Sequence, residues 1–515
     1  MRRAALAALP VAFLAVFFLF PLGAVLERSL DTGDLPLDVI GRRRTIEILW
    51  FTAWQAAVST ALTLLAALPL TWALSRFSFR GRGLAEALVA VPFVLPTIVV
   101  ATAFLLVLPE SLERSVPAIL LAHVFFNIAV VTRIVGGVWQ GLDRRLDEAA
   151  ATLGLPPPAR FRRVTFPLLA PALSAAAAVV FLFCFTSFGV IVILGGPGRA
   201  TLETEIYNQA VRQFDLRTAA ALALLQLAVV ALVAVSAATL ERRAAGTGSG
   251  RPTQAPRPTG SARGLVAGAV AVTLGLLAVP PALLVSRSLT LEGGIGLGAY
   301  GRLFEPTPAL LTEPWRAAVN SLLFAAVAAG IAVGVALPAA VLAARGSGTV
   351  DLLLMLPLGA SAAMLGFGFL LAFDDPPFDL RGSPWIVPLA QALVAAPFVL
   401  RALVPAVRAI DPRLREAATS LGLPPRAVLR RVDLPLLRPG LVLATGLAFA
   451  MALGEFGATV FLARADWPTL PVAIFRLLGR PGVENLATAT ALSVVLALLT
   501  VTALMALQLA GGRRR

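Results

Sequence analysis

Few residues of this chain carry side chains that could do chemistry, and most of those lie inside long apolar runs. The chain has one Cys, Cys184, and one His, His123, so it offers no internal disulfide and no metal cage built on those ligands. Cys184 is surrounded by apolar and aromatic residues, which predicts a small core residue. An ionisable group inside a membrane span is a candidate for function. For His123 we favour a structural role, a neutral ring bonded to a neighbouring helix.

One acidic residue stands out in the same way. Glu455 lies in the apolar stretch "ALGEFGATVFL", and a charge at the centre of a spanning helix costs about 2.5–3.5 kcal/mol on insertion scales. We predict that it faces a cavity and attracts a cationic substrate, whose rings contact nearby aromatic residues. The alternative left open is a gate or a helix-packing hydrogen bond with a partly protonated carboxyl. The aromatic residues expected along this substrate pathway are Phe185, Phe188 and Phe456.

The basic residues exclude several kinds of chemistry. All 43 are Arg, so the chain has no Lys for a phosphate-binding Walker A loop and none for a Schiff base. No aromatic-interleaved basic patch suggests a nucleic-acid partner. No cluster of catalytic residues or metal ligands appears either. The sequence therefore predicts no enzyme, no bound cofactor and no ATP site of its own.

The composition indicates that these residues lie on membrane-spanning elements. Of the 515 residues, 58% are hydrophobic and only 14% are charged, which is too few charges for a soluble chain of this length. Long non-alternating apolar runs predict membrane-spanning helices. We expect the first run to be a retained helix; the alternative is a cleaved signal peptide. The twelve runs lie near 4–26, 47–74, 84–108, 116–140, 167–194, 218–240, 264–285, 317–343, 352–373, 385–408, 436–463 and 486–510.

The chain is an internal repeat of two six-helix halves. Residue n pairs with residue n+268, and 20 of 32 positions are identical between 142–173 and 410–441. The pairing sets Ser187, a further pathway candidate, opposite Glu455. A Gly-, Ser-, Thr- and Pro-rich segment between the halves predicts a flexible linker. The predicted units are therefore 1–243 (first transmembrane half), 244–263 (cytoplasmic linker) and 264–515 (second transmembrane half).

Charge distribution predicts the orientation in the membrane. With the N-terminus inside, the inner segments hold 24 Arg and 8 acidic residues, while the outer ones hold 15 Arg and 18 acidic residues. This follows the positive-inside rule, although "GRRRT" at 41–45 is an exception. Both termini are then expected in the cytoplasm. The most similar part of the two repeats also falls on the cytoplasmic side.

That most similar part reads as helix, sharp turn, helix. Each copy begins with a short helix-forming stretch, "LDEAAATLG" or "LREAATSLG", whose final Gly suits a left-handed helix end. Prolines follow, and Pro167 and Pro435 are predicted to start the next spans. A plain connector near anionic lipid is the simpler interpretation. Agreement of helix, turn and proline positions favours a surface that docks one twofold-symmetric partner twice.

The two copies match E-A-A-x3-G-x9-[hydrophobic]-x-[hydrophobic]-P, which resembles the signature loop of bacterial binding-protein-dependent ABC importer permeases. The resemblance implies that each loop is a coupling helix seated in a cytoplasmic ABC ATPase homodimer that uses ATP-Mg. It also implies a periplasmic or lipid-anchored solute-binding protein, an all-α integral membrane fold of about 12 transmembrane helices in two tandem six-helix repeats, and a bacterial cytoplasmic membrane. The residues expected to couple to the ATPase are Glu148, Ala149, Ala150, Gly154, Glu416, Ala417, Ala418 and Gly422.

A fused pair of halves is similar to the thiamine and ferric-iron permeases. "LLAHVFFN", "FLFCFTSFG" and "LGGPGRATLETEIY" look most like the thiamine permease, whereas "ALGEFGATVFL" also resembles oxyanion and iron permeases. The expected solute is thiamine or a thiamine phosphate, with ferric iron or another small ion as the alternative. A secondary transporter with duplicated halves is the rival class; it would not need a matched pair of docking loops.

Overall fold

The fold is described by a computed structural model that covers residues 2–30, 36–196, 198–245, 255–290, 294–344, 346, 348–374 and 379–512. Every regular element within those ranges is helical. Ten of the helices there are long and apolar enough to cross a membrane, and two helix pairs pass the same test together although each is bent at a short break. Counting each bent pair as one span gives twelve. This confirms the predicted all-α membrane fold.

The spans follow the predicted apolar runs in order, and each span of the first half has its counterpart six spans later. Spans 1 to 6 are Leu6–Ser29, Arg43–Arg76, Arg82–Phe93 with Thr97–Val107, Val116–Gln140, Pro157–Phe185 and Leu216–Ser236. Spans 7 to 12 are Ser261–Thr290, Trp315–Ala344, Leu352–Gly359 with Ala362–Ala372, Ile386–Arg408, Arg426–Gly454 and Val483–Ala506.

Spans 3 and 9 are each broken near the middle, whereas the apolar runs predicted single helices there. The two helices meet at 97° in span 3 and at 98° in span 9. In span 3 the break falls at Leu95, whose extended backbone is the conformation favoured immediately before a proline, here Pro96. In span 9 the hydroxyl of Ser361 accepts a hydrogen bond from Met364 N at 3.1 Å and so begins a new helix.

Spans 5 and 11 begin earlier than predicted. The sequence placed their starts at Pro167 and Pro435, after a separate basic helix, but the basic stretch is the first part of each span. Because proline has no N–H to donate and its ring crowds the preceding turn, a wider turn lets the helix continue through it. The π-helical turns that do this are Phe161–Thr165 and Leu429–Asp433.

Small residues hold the core of each half together. Spans 2, 4 and 5 pack on one another, and spans 8, 10 and 11 do the same in the second half. Span 8 buries a row of alanines, including Ala325, Ala332 and Ala336, which lets helix backbones approach closely. Trp50 and Leu65 of span 2, by contrast, are 69% and 67% exposed, as expected for side chains that face lipid.

The first span of each half packs mainly against the other half. Span 1 packs against spans 8 and 9 and also against span 6 of its own half, while span 7 packs against spans 2 and 3 and also against span 12 of its own half. Phe17 and Phe20 of span 1 lie 5.8 Å and 5.9 Å from Phe373 at the end of span 9, measured between ring centroids. The predicted units 1–243 and 264–515 thus divide the sequence, while in space each bundle is completed by one helix of the other.

The helix of span 6 continues to Ala245, and the helix of span 7 begins at Ser261. The predicted flexible linker falls between them, and its residues 246–254 lie outside the described residues. In the described remainder, the carbonyl of Pro256 accepts a hydrogen bond from Ser78 N at 2.9 Å. The end of the linker therefore contacts the turn between spans 2 and 3.

Candidate functional site: coupling loops and transport path

The two Glu-Ala-Ala segments form a pair of short helices on one face of the molecule, which we call the loop face. They are Arg144–Thr152, between spans 4 and 5, and Pro412–Ser420, between spans 10 and 11. Each is capped by an aspartate, Asp143 or Asp411, whose carboxylate accepts a backbone N–H two residues ahead at 2.9 Å in both loops. The same local chemistry thus starts both helices.

The helix ends match as closely as the starts. Gly154 and Gly422 have φ of 76° and 81°, the left-handed conformation that the sequence predicted. In each loop, the N–H of the following Leu returns to the carbonyl of the second Ala of the motif at 3.1 Å. This closing bond is the usual way to satisfy the last carbonyls of a helix.

Both loop helices present one side to solvent. Six of the eight coupling candidates are exposed, and the second Ala of each motif, Ala150 or Ala418, is buried. The exposed residues are Glu148, Ala149, Gly154, Glu416, Ala417 and Gly422. Leu153 and Leu421, at equivalent positions just after these helices, are each 82% exposed. A leucine left open at the same position of both loops indicates a surface that a partner covers.

Each loop helix forms an ion pair with the following span, but the loop contributes the acidic partner in one copy and the basic partner in the other. Asp147 of the first loop lies 3.6 Å from Arg160 at the start of span 5, and 3.3 Å from Arg76 at the end of span 2. Arg415 occupies the position of Asp147 in the second loop, and its Nε donates to Asp433 in span 11 at 2.7 Å. Each loop helix is therefore tied to the span that follows it, although the charges are reversed.

The predicted pathway residues lie where spans 5 and 11 break. A short helix follows each break, Gly189–Leu194 in the first half and Thr459–Leu462 in the second. The pathway residues at the two breaks are Phe185, Ser187, Phe188, Glu455 and Phe456, of which Ser187 is half-buried and the others are buried.

Glycines at these breaks allow close contact with the bends of spans 3 and 9. A Cβ added to Gly189 would lie 2.5 Å from Thr97 Oγ1, and one added to Gly457 would lie 2.9 Å from Ala362 Cβ. Thr97 and Ala362 begin the second helix of spans 3 and 9. In both halves the glycine after the break thus meets the first residue of that second helix, so the broken span and the bent span pack together in each half.

Aromatic side chains from both halves meet between the two breaks. The rings of Phe188 and Phe456 lie 5.3 Å apart. Tyr207 lies 5.6 Å from Phe188 and 5.5 Å from Phe461, and Phe475 lies 5.4 Å from Phe456. We call these five residues the aromatic cluster. It fills the boundary between the halves with rings that each half contributes.

The carboxylate of Glu455 turns back onto its own chain. It accepts hydrogen bonds from the N–H of Ala458 at 2.7 Å and of Thr459 at 3.0 Å, and also from the Thr459 hydroxyl. These groups begin the short helix after the break, so the carboxylate caps that helix. Of the two roles left open for Glu455, its contacts favour the hydrogen-bonded structural one.

The other singular residues have structural partners. Nδ1 of the buried His123 lies 2.9 Å from the hydroxyl of Ser59 in span 2, which confirms the predicted bond to a neighbouring helix. Cys184 is fully buried, and its sulfur lies 3.5 Å from Asn127 Nδ2. Neither residue lies in the aromatic cluster.

Two buried acidic residues were missed because they lie outside the apolar runs. Glu203 accepts a hydrogen bond from Gln226 of span 6 at 2.5 Å. Glu205 is paired with Arg44 at 3.2 Å. Gln226 inside a span signalled a polar partner, but nothing in the sequence alone identified which one.

A cavity of about 580 Å³ opens between the halves on the face opposite the loop face. Phe475 of the aromatic cluster forms part of its wall. Among the described residues no acidic side chain lines it. Its charged lining residues are Arg114, Arg212, Arg476 and Arg480.

Two six-span halves, a closed boundary between them and matched loop helices on one face are the architecture of a transport permease. The family model of the binding-protein-dependent transport system inner membrane component matches residues 64–246. The chain belongs to this family of ABC transport permeases. It is accordingly a multi-pass inner-membrane transport subunit without ATPase activity of its own. Membership implies an ATPase and a solute-binding protein as partners.

Near-full-length relatives refine this assignment. The chain is 30% identical over 547 residues to the thiamine transport system permease protein ThiP of Brucella suis, covering 98% of this chain and 95% of the relative. It is 28% identical over 461 residues to ThiP of Escherichia coli, covering 84% and 83%. A probable ABC transporter permease protein, y4fN of Sinorhizobium fredii, is 27% identical over 540 residues, covering 97% and 92%.

Proposed function

We propose that this chain is the permease of a thiamine importer and moves thiamine or a thiamine phosphate into the cytoplasm. The observation that supports thiamine as the solute is the similarity to thiamine permeases over 98% of the chain. The similarity includes both halves, so it extends to the boundary where a solute would pass.

In this proposal an ATPase homodimer docks on both loops. Leu153 and Leu421 offer the same apolar contact twice, which suits a twofold-symmetric partner. Closure of the ATPase on ATP pulls the loop helices together and shifts the equilibrium between two states of the permease. The loop face and both termini are then cytoplasmic. A periplasmic or lipid-anchored solute-binding protein meets the opposite face.

The solute passes between the halves at the two breaks. The aromatic cluster closes this route, and its rings separate when the ATPase moves the halves apart. Once separated, the same rings offer faces on which a cationic two-ring solute can stack. Phe185 and Ser187 line the first break behind the cluster, and Glu455 holds the second break in shape.

The contacts do not favour ferric iron, the other solute considered. Among the described residues there is no group of three or more His, Cys, Asp or Glu that could hold a metal ion. Ferric iron binds best to several oxygen ligands, whereas thiamine needs apolar and aromatic surface.

Transport by the reconstituted complex tests the solute. The permease, its ATPase and its binding protein are placed in proteoliposomes, and uptake of labelled thiamine and thiamine diphosphate is measured. We expect uptake that requires ATP and is competed by unlabelled thiamine, but not by ferric citrate. ATP-dependent uptake of a different solute, with neither thiamine species taken up, contradicts the proposal.

Crosslinking tests the docking of the ATPase. Because Cys184 is the only Cys, a Cys184→Ala background gives single-cysteine variants. Leu153→Cys and Leu421→Cys should each crosslink to the ATPase. The control is Leu297→Cys, which is 69% exposed on the opposite face and should not. Absence of ATPase crosslinks from both loop positions rules out this docking surface.

A further inference from the structure

The cavity opposite the loop face has a charge that a purely cationic solute does not explain. Its four arginines come from three separate segments of the chain. Arg114 and Arg212 belong to the first half, and Arg476 and Arg480 belong to the second. Both halves thus contribute two positive charges to one concave surface at the entrance to the aromatic cluster.

The face that carries these arginines is rich in acidic residues. Several other arginines there have carboxylate partners, such as Arg217 with Asp38 at 3.1 Å and Arg316 with Glu313 at 2.6 Å. None of the four cavity arginines forms an ion pair with another described residue. Their charge is therefore not neutralised by this part of the chain.

An adjoining cavity of about 480 Å³ does contain acidic groups. Glu110 and Glu113 line it together with Arg114 and Arg480. Arg212 and Arg476 line only the larger cavity, whose lining contains no acidic residue. Of the four arginines, these two are therefore the ones whose positive charge is farthest from a carboxylate of the linings.

Arg476 is also held in position. Its Nη2 donates to the carbonyl of Ala463 at 2.9 Å, and its Nη1 donates to the carbonyl of Arg464 at 3.4 Å. Carbonyl partners fix the guanidinium without neutralising it. A fixed guanidinium keeps further N–H donors in a fork that fits two oxygens of a phosphoryl group.

The guanidinium of Arg212 lies beside an aromatic ring. Its guanidinium carbon lies 6.0 Å from the ring centroid of Tyr207, which belongs to the aromatic cluster. An anion held by Arg212 would therefore sit directly beside the rings on which the rest of the solute stacks. This arrangement suits a molecule with aromatic rings at one end and a phosphoryl group at the other.

We propose that this cavity is an anion-binding entrance that takes the phosphoryl group of the solute as it leaves the binding protein. The inference rests on the proposed function for the identity of the solute and makes phosphorylated thiamine the species that the permease itself selects. A cleft lined by one sign of charge concentrates ions of the opposite sign and speeds their entry by about 10- to 1,000-fold.

The test compares thiamine diphosphate with thiamine in proteoliposomes that hold the complete transporter. For Arg212→Gln with Arg476→Gln, the KM for thiamine diphosphate should rise about tenfold or more, because two charge-assisted hydrogen-bonding groups are lost. The KM for thiamine should stay unchanged. The Lys double variant, Arg212→Lys with Arg476→Lys, should recover part of the loss. Arg316→Gln, outside the cavity, serves as the control and should affect neither solute.

Two results would overturn the inference. One is an unchanged KM for both thiamine diphosphate and thiamine in the Gln double variant. The other is an equal loss for both solutes together with weaker association of the binding protein, which would assign the arginines to an acidic protein surface. Uptake of inorganic pyrophosphate itself, competing with thiamine diphosphate, would support the anion site and assign it to a free anion.

A direct measurement separates this inference from the proposed function. Inorganic pyrophosphate is titrated calorimetrically into the transporter complex in nanodiscs. We expect binding to the unaltered complex that is weakened about tenfold in the Gln double variant. Pyrophosphate binding without any thiamine transport would overturn the proposed solute and support the anion site. Absence of pyrophosphate binding would overturn the anion site.

Discussion

The two loops on the loop face can be compared with the two breaks in spans 5 and 11, since both pairs derive from one internal repeat. The loops agree in detail: 20 of 32 positions are identical between 142–173 and 410–441, and the exposed leucines are both 82% exposed. The breaks agree in position and share a Phe-Gly pair, Phe188-Gly189 and Phe456-Gly457, but the residues beside these pairs differ. Ser187 stands opposite Glu455, and the first residue of the second helix is Thr97 at one bend and Ala362 at the other.

This difference separates two kinds of constraint. The loops must each fit the same kind of partner surface, so the same contacts are needed twice. The breaks meet each other through the equivalent rings of Phe188 and Phe456. On the proposed path they also meet the solute, which has no twofold axis. The halves can therefore diverge at the path while they stay alike at the loops. Each prediction below tests one side of this comparison, in order of decreasing expected effect.

The largest effect is expected at the first break. Gly189→Ala should destabilise the permease by about 1–3 kcal/mol and abolish transport, because the new Cβ would lie 2.5 Å from Thr97 Oγ1. Adding Thr97→Ala removes the oxygen that the new Cβ would meet, and should restore part of the lost stability and transport. Thermal unfolding and uptake are the measurements. Gly137→Ala, where no atom lies within 4 Å of the new Cβ, is the control. A double variant no better than the single one would show that this close contact is not the cause of the loss.

The loops should respond alike. Leu153→Asp and Leu421→Asp should each weaken ATPase binding by about 10- to 100-fold, since burying a leucine is worth about 1.5–3 kcal/mol. The permease should fold normally because both side chains are exposed. ATPase affinity and uptake are measured beside Leu297→Asp on the opposite face, which should bind normally. Strongly unequal effects of the two substitutions would argue against a twofold-symmetric partner.

Glu455 should affect stability more than solute affinity. Glu455→Gln keeps one oxygen but replaces the other with a donor, so one of the helix-capping bonds is lost, at about 1.5–3 kcal/mol for a charged acceptor. The melting temperature should fall while the KM for thiamine stays constant. Ser187→Ala at the opposite break should change neither quantity. A rise of tenfold or more in the KM for the cation would instead support attraction of the substrate by the carboxylate.

The smallest effect is expected from the reversed ion pair. A double-mutant cycle on Arg415 and Asp433 should give a coupling of about 0.2–1 kcal/mol, since the pair is only partly buried. Arg415→Asp combined with Asp433→Arg adopts the charge order of the first loop and should keep most of that coupling. Thermal unfolding is the measurement. The exposed pair Arg43 and Glu47 is the control, with a coupling near zero. Zero coupling for Arg415 and Asp433 would remove the pair as a reason for the matched loop geometry.

The sequence predicted the loops well because their structure is local. Asp143, Gly154 and the prolines after them determine a helix start, a helix end and a turn within a few residues. The bends of spans 3 and 9 were missed because an apolar run looks the same whether straight or broken. Pro96 was a usable signal in the first half, whereas the break before Ser361 has no proline immediately after it.

Contacts between the halves could not be predicted from the pattern of apolar residues. Lipid and protein neighbours are equally apolar, so the faces that span 1 buries against span 9 carry no distinguishing signature. The four arginines of the cavity also come from three distant segments, and Arg212 and Arg476 lie on short helices outside the runs. The pathway residues could be predicted only because their apolar surroundings made Glu455 conspicuous.

The exchange of first spans has a consequence for how this protein is made. Span 1 is synthesised before its main neighbours, spans 8 and 9, which come after the whole first half. Until then it has only span 6 and lipid around it, and contacts so distant along the chain form slowly. The first bundle therefore cannot be completed before the second half is made, and an N-terminal fragment would leave span 1 without spans 8 and 9.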